Sequence, residues 1–185
     1  MTQAIRRSHT ALFSALAFAV VVVLLVVVLA TRQPATSKID KSPLLGKLAP
    51  ALVGEMMSGG GGTFDLGTAQ GTVVLVNFFA TWCVPCIQEH DDLRRFADAH
   101  AAAGDATVVS VVFSDEPSNV RRFFTRNGGD WPVVDDDDGA IATSWGVARV
   151  PESYLVGPDG TVLSKITGGV QYDALEDLFA RATGG

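Results

Sequence analysis

The pattern of apolar and polar positions divides the chain into a leader, a tether and a body. From Ala11 to Ala30 the sequence reads ALFSALAFAVVVVLLVVVLA, twenty residues without a charge. A helix rises about 1.5 Å per residue, so this run spans roughly 30 Å, the hydrocarbon thickness of a bilayer. Lipid offers the backbone no hydrogen-bond partners and so imposes a helix even on a valine-rich run. The pattern predicts a transmembrane signal anchor over 11–30, with 1–10 as a cytoplasmic N-terminus. The alternative is a cleaved secretory signal, for which Val28-Leu29-Ala30 offers a small-residue site; the apolar core of such a signal is usually only about 7–15 residues long. Residues 31–45, TRQPATSKIDKSPLL, are polar with two prolines and read as a linker.

The body, residues 46–185, alternates short apolar runs with helical spacing. Thr72 to Phe79 and Ala106 to Phe113 are continuous apolar runs, the pattern of strands buried on both faces. Pro85 to about Ala103 reads as the helix between them. Pro117 suits a first helical turn, Val120, Phe123, Phe124 and Asn127 keep an i, i+3, i+4, i+7 stripe, and Gly128 ends it. A short helix is expected over Ala140–Trp145. Ser153–Val156 and Thr161–Ile166 read as strands joined by a Gly157-Pro158-Asp159-Gly160 turn. Leu175, Leu178, Phe179 and Ala182 make the stripe of a last helix. The order β-α-β-α-β-β-α implies an α/β fold, a central mixed β-sheet flanked by helices. Gly59–Gly62 reads as a hairpin tip.

Charge sharpens this division. Residues 1–30 hold Arg6 and Arg7 and no acid, so all 20 acids and 12 of the 14 bases lie beyond them. Arg6 and Arg7 before the span, against Arg32, Lys38, Lys41 and Asp40 after it, slightly favour an N-terminus in the cytoplasm. A net charge of −6 excludes the basic footprint of a nucleic-acid binder. Asp135–Asp138 lacks the alternating ligands and distal Glu of a calcium loop and reads as a solvated turn.

Both cysteines stand in Trp82-Cys83-Val84-Pro85-Cys86, between a buried strand and a helix. Cys-x-x-Cys beside a β-α-β pattern reads as a redox pair. The helix N-terminus favours thiolate at Cys83, and the spacing lets Cys86 resolve a mixed disulfide formed there. Two other readings stay open. An inert disulfide would close only a tiny loop and stabilise little. A zinc site would need two more ligands from His9, His90, His100 or acids, with no second cysteine pair.

The run Val76-Asn77-Phe78-Phe79-Ala80-Thr81-Trp82-Cys83-Val84-Pro85-Cys86, followed by Gln88-Glu89-His90, resembles the thioredoxin-like TlpA/ResA/DsbE (CcmG) family. Gly46-Lys47-Leu48-Ala49-Pro50 is similar to the family's opening motif. Gly146 to Val156, GVARVPESYLV, is most like the DsbE/CcmG branch. The resemblance covers about residues 44–182. It implies a thioredoxin fold and a membrane-anchored thiol-disulfide oxidoreductase, with Cys83 the exposed nucleophile and Cys86 the buried resolving thiol. It makes Pro151 a cis-proline facing the disulfide, with the Val150 backbone free to pair with a substrate segment, and Glu89 an active-site acid. Glu152 is a second candidate acid, and Trp82 a partly exposed platform at the substrate side.

Spacing adds a reason for Glu89: three residues after Cys86, it is a helical neighbour, able to disfavour thiolate and pass a proton. Asn77 stands where cytosolic thioredoxins carry a buried Asp, so that proton relay is absent. His90-Asp91 follows Glu89 where the family usually has Pro, which favours the DsbE type over ResA. His90, on a stripe with Cys86, Leu93 and Ala97, reads as packing.

The resemblance implies reduction of apocytochrome c cysteines, with electrons from a membrane thiol reductase. The expected partners are therefore cysteine-containing proteins and the membrane itself, with no metal and no cofactor. The expected localisation is a single-pass cell-membrane protein with its domain on the extracytoplasmic side. Alternatives are a disulfide-forming oxidase of secreted proteins and a tethered binding module whose cysteines are only structural.

Overall fold

The computed structural model describes residues 3–30, 38–58 and 60–184, in two compact units that divide after Pro34. The first unit is a single helix, α1, Gln3–Ala30. Its side chains are described over Leu12–Val27 and are exposed and mostly apolar. Among the described residues, no helix is long and apolar enough to cross a membrane.

The second unit is built on β4 (Val73–Phe79), in which every residue is buried. Its side chains alternate between two cores. Val73, Leu75 and Phe79 meet Leu93 and Phe96 of α2 (Val84–Ala101), Val120 and Phe124 of α3 (Pro117–Asn127) and Leu175 of α5 (Tyr172–Thr183). Val74, Val76 and Phe78 meet Trp145 of α4 (Ala140–Trp145) and Tyr154 of β7 (Glu152–Val156). Covering both faces explains why β4 and β5 (Ala106–Val112) read as mainly apolar runs rather than as alternating ones.

The remaining strands are β1 (Lys38–Asp40), β2 (Val53–Ser58), β3 (Thr63–Asp65), β6 (Val133–Val134) and β8 (Val162–Thr167). The sheet order is β1-β8-β7-β4-β5-β6-β2-β3. β4, β5 and β6 are parallel, and the other pairings are antiparallel. The expected mixed sheet flanked by helices is present, but with eight strands where the apolar runs gave four. β1, β2, β3 and β6 are too short or too polar to announce themselves. Lys38–Asp40, inside the stretch read as linker, is the edge strand β1, pairing Ile39 with Ile166; residues 31–37 lie outside the described ones.

The expected turns are where the residues put them. Asp159 accepts the Thr161 N–H, Gly160 takes φ 80°, and the Gly157 N–H reaches Thr161 O at 2.8 Å. Gly60–Gly62 join β2 to β3 as the hairpin tip; Gly59 lies outside the described residues. The Asp135–Asp138 turn departs from expectation. Asp136 is buried, its two carboxylate oxygens accepting the N–H groups of Ile141 and Ala142, so it caps α4.

Candidate redox site

β4 ends at Phe79, and the chain turns through Ala80–Trp82 into α2. Cys83 is the residue before that helix, with Pro85 in the first turn, where no N–H is needed. Its Sγ accepts the Cys86 N–H at 3.2 Å, one of the orphan donors of the helix N-terminus. The two cysteines are joined as a disulfide, with Cα atoms 5.2 Å apart.

The resemblance implies an exposed Cys83 beside a buried Cys86. In the disulfide that contrast is absent: Cys83 is 5% exposed and Cys86 4%. The S–S bond and the Cys86 N–H hold the Cys83 sulfur in, and both residues belong to the apolar core. Exposure falls instead on the flanks, Trp82 at 58%, Val84 at 62% and Ile87 at 46%. Trp82 is thereby an open face, pinned by its Nε1 donating to Ser114 O at 3.0 Å. Thr81 is held in the same way, its N–H and hydroxyl both donating to Asp115 Oδ2 at 2.5 and 2.6 Å.

Glu89 lies one helical turn beyond Cys86 and is 2% exposed. Its Oε1 accepts Asn77 Nδ2 at 2.9 Å, and its Oε2 accepts the Val170 N–H at 2.8 Å. Burial pushes the carboxyl up to about 7. The Val170 and Asn77 donors pull against that rise and Asp92 adds to it. Asn77 cannot itself exchange a proton; it also donates to Ser153 Oγ at 3.1 Å and so ties β4 to β7 behind the acid.

The Val150–Pro151 peptide is cis. Pro151 is buried, its carbonyl accepting the Gly168 N–H at 3.0 Å, while Val150 is half-buried against the cluster that holds both cysteines. Gly169 packs close over the start of α2, where an added Cβ would stand 3.5 Å from Pro85 O. Glu152 is turned away from solvent, 3% exposed, with its Oε2 2.8 Å from Lys165 Nζ. His90 packs, as its stripe predicts. It sits against Phe123, Phe124 and Trp131, Nε2 lies 3.0 Å from Gly128 O, and burial lowers its pKa. Among the described residues, no cluster of His, Cys, Asp and Glu is arranged to hold a metal.

Trp82, Cys83, Cys86 and Glu89 thus share the start of α2, and Val150, some seventy residues on, packs against the cluster that holds both cysteines. Residues 44–178 match the family model described as Redoxin, nearly three quarters of the chain. The chain belongs to the Redoxin family. Within the Redoxin family it stands with the thioredoxin-like disulfide oxidoreductases, on the DsbE/CcmG side. It is 40% identical over 100 residues to the thiol:disulfide interchange protein CycY of Rhizobium leguminosarum bv. viciae, covering 54% of this chain but only 52% of CycY. It is 31% identical over 133 residues to the thiol:disulfide interchange protein HelX of Rhodobacter capsulatus, covering 71% of this chain and 73% of HelX. A solved Chlorobium tepidum chain described as thiol:disulfide interchange protein DsbE superposes with a TM-score of 0.67. It is 28% identical and covers 78% of this chain and 99% of that one. The Redoxin body thus has the thioredoxin fold.

Four residues of the site carry no local sequence signal. Asp115, Ser153, Val170 and Lys165 act through contacts to residues 13 to 81 positions away, and only the folded sheet brings them there.

Proposed function

We propose that this chain is a membrane-tethered, extracytoplasmic thiol-disulfide oxidoreductase whose working couple is Cys83–Cys86. The observation that carries the reading is a disulfide at the start of α2 with a buried carboxyl one turn further along the same helix. In the reduced protein the helix N-terminus favours thiolate at Cys83. That thiolate attacks one sulfur of a partner's disulfide, forming a mixed disulfide and releasing a partner thiolate. Cys86 then attacks Cys83 Sγ and releases the second partner sulfur. Two electrons pass to the partner, the Cys83–Cys86 disulfide closes, and the two thiol protons end on the partner's thiols. In this reading Glu89, one turn beyond Cys86, takes the Cys86 proton in the second step, a role that a pKa near 7 supports.

The twenty uncharged residues of Ala11–Ala30 support a signal anchor, and Arg6 and Arg7 before them support an extracytoplasmic body. Outside the cytosol a dithiol needs an electron source, which in this reading is a membrane thiol reductase. Similarity to the DsbE branch points to apocytochrome c cysteines as the substrate.

The test has two arms. Titration of the couple against glutathione should give a potential well below that of strong oxidants, about −120 mV; a value near that limit would instead make the protein a disulfide-forming oxidase. In cells, Cys86→Ala should accumulate mixed disulfides through Cys83 while Cys83→Ala should not; equal trapping by both would remove the assigned roles.

A further inference from the structure

A cavity of about 550 Å³ opens beside the Val150–Pro151 turn, lined by Lys38, Lys41, Arg149 and Lys165 against Asp40 and Glu152. Two of these cations are paired: Lys38 Nζ lies 3.3 Å from Asp40 and Lys165 Nζ 2.8 Å from Glu152. Lys41 and Arg149 are exposed and have no ion pair among the described residues. The walls therefore hold two uncompensated positive charges, on a chain whose acids outnumber its bases 20 to 12 beyond residue 30.

The position of this cavity relates it to the redox pair. Arg149 directly precedes Val150, which packs against the cluster containing Cys83 and Cys86. On the Trp82 side the surface has the opposite sign. A second cavity, of about 380 Å³, is lined there by Asp115, Glu116, Asp135 and Asp137. The redox face is thus cationic beside the proline turn and anionic beside Trp82.

We propose that the cavity at Lys41 and Arg149 is an anion subsite that reads a carboxylate side chain carried by the protein partner next to its reactive cysteines. The inference rests on the oxidoreductase reading above and adds a substrate class to it. A guanidinium presents a planar fork of donors that matches a carboxylate, and Lys41 supplies a second charge on the same wall. On an otherwise acidic surface, an acidic partner segment is repelled from most approaches and attracted to this one, which fixes the direction in which it lies across the disulfide. Placement one residue from the turn favours a peptide carboxylate over a lipid phosphate.

The test uses the full chain, reduced, in neutral detergent. Two synthetic peptides carry the same Cys-x-x-Cys disulfide, flanked by Glu in one and by Gln in the other. The second-order rate of protein oxidation is read from tryptophan fluorescence. At low salt the Glu peptide should react about fivefold faster, the scale of one or two exposed ion pairs. The ratio should fall towards one in the Lys41→Ser/Arg149→Ser variant and at high salt. A wild-type ratio near one, or a ratio unchanged in the variant, overturns the subsite. So does a wild-type rate that responds to added phosphatidylglycerol but is the same for both peptides, which would give the two cations to an anionic lipid surface. If the wild type reduces the Gln peptide without preferring Glu, only the subsite fails. If it reduces neither peptide, the oxidoreductase reading fails with it.

Discussion

Asn77 Nδ2 donates to Glu89 Oε1 at 2.9 Å, joining the middle of the buried strand β4 to the helix that begins at the disulfide. This single contact makes Glu89 part of the sheet as well as of the helix. It holds the carboxyl in a place where water does not reach it, and the pKa of about 7 follows mainly from that burial.

The first prediction follows from linkage. Glu89 titrates at about 7 in the folded oxidised protein, against 4.5 for a free glutamate. Below 4.5 both folded and unfolded chains hold the proton, and the contribution to stability is fully present. Between 4.5 and 7 the unfolded chain loses the proton while the folded one keeps it, so stability falls as pH rises. The loss attributable to this group is of order 3 kcal/mol by pH 7 and above. Urea unfolding across pH 4 to 8 should show this fall in the wild type and a flatter profile in Glu89→Gln. Parallel profiles would mean that folding leaves the Glu89 pKa unshifted.

A second prediction concerns the donor. Asn77→Asp would put another carboxyl at hydrogen-bond distance from Glu89. Two carboxyls that close cannot both ionise cheaply, so they titrate as a coupled pair with one step raised above that of Glu89 alone. Infrared spectroscopy of the protonated carboxyl band should follow it to higher pH than in the wild type. Asn77→Ala removes the donor to both Glu89 and Ser153, and should cost about 1–3 kcal/mol.

Which parts of this were legible beforehand depends on how local their cause is. The helix opening at Val84 and the strand Val73–Phe79 follow from Pro85, the apolar run and the cysteines themselves, all within a dozen residues. Glu89 was legible from the family resemblance, and i, i+3 spacing, a property of one helix, added a local reason. The burial that neutralises it was not, because Gly169 and Val170, which pack against it, stand 80 and 81 residues away. The two-residue strand β6 has no period to detect, and it exists only because β5 and β2 stand on either side of it. The equal burial of the two cysteines was hidden for a different reason. It is set by the apolar side chains packed around both sulfurs, which the spacing does not reveal.

The third prediction tests the Glu152–Lys165 pair. Glu152 is buried directly after the cis peptide, and Lys165 also packs over the Tyr154 ring at 5.2 Å. Lys165→Met would leave a buried carboxylate without its cation and should cost about 3–5 kcal/mol. Glu152→Gln/Lys165→Met removes both charges together and should recover most of that loss. A double-mutant cycle by urea unfolding reads the coupling. Additive single effects would mean the pair is held by packing and not by charge.

The last prediction concerns the support of α2 from the side. His90 follows Glu89 and stacks with Trp131 at 5.3 Å and Phe124 at 5.5 Å, and those two rings close over Gly129. Gly129 has φ +107°, and a Cβ there would stand 2.9 Å from Trp131 and 3.1 Å from Phe124. Gly129→Ala therefore meets two penalties, an unfavourable backbone region and rings that must move, and should cost about 2–4 kcal/mol. Gly104 provides the control. Its φ of +64° carries the backbone penalty alone, since nothing lies within 4 Å of an added Cβ, so Gly104→Ala should cost only about 1 kcal/mol. Shifts in the urea midpoint measure both. A larger loss at Gly129, accompanied by faster alkylation of the reduced cysteines, would mean that the aromatic cluster holds the helix on which the redox pair sits. Equal losses would mean that the rings yield freely and that α2 is positioned from the sheet side alone, through Asn77 and Glu89.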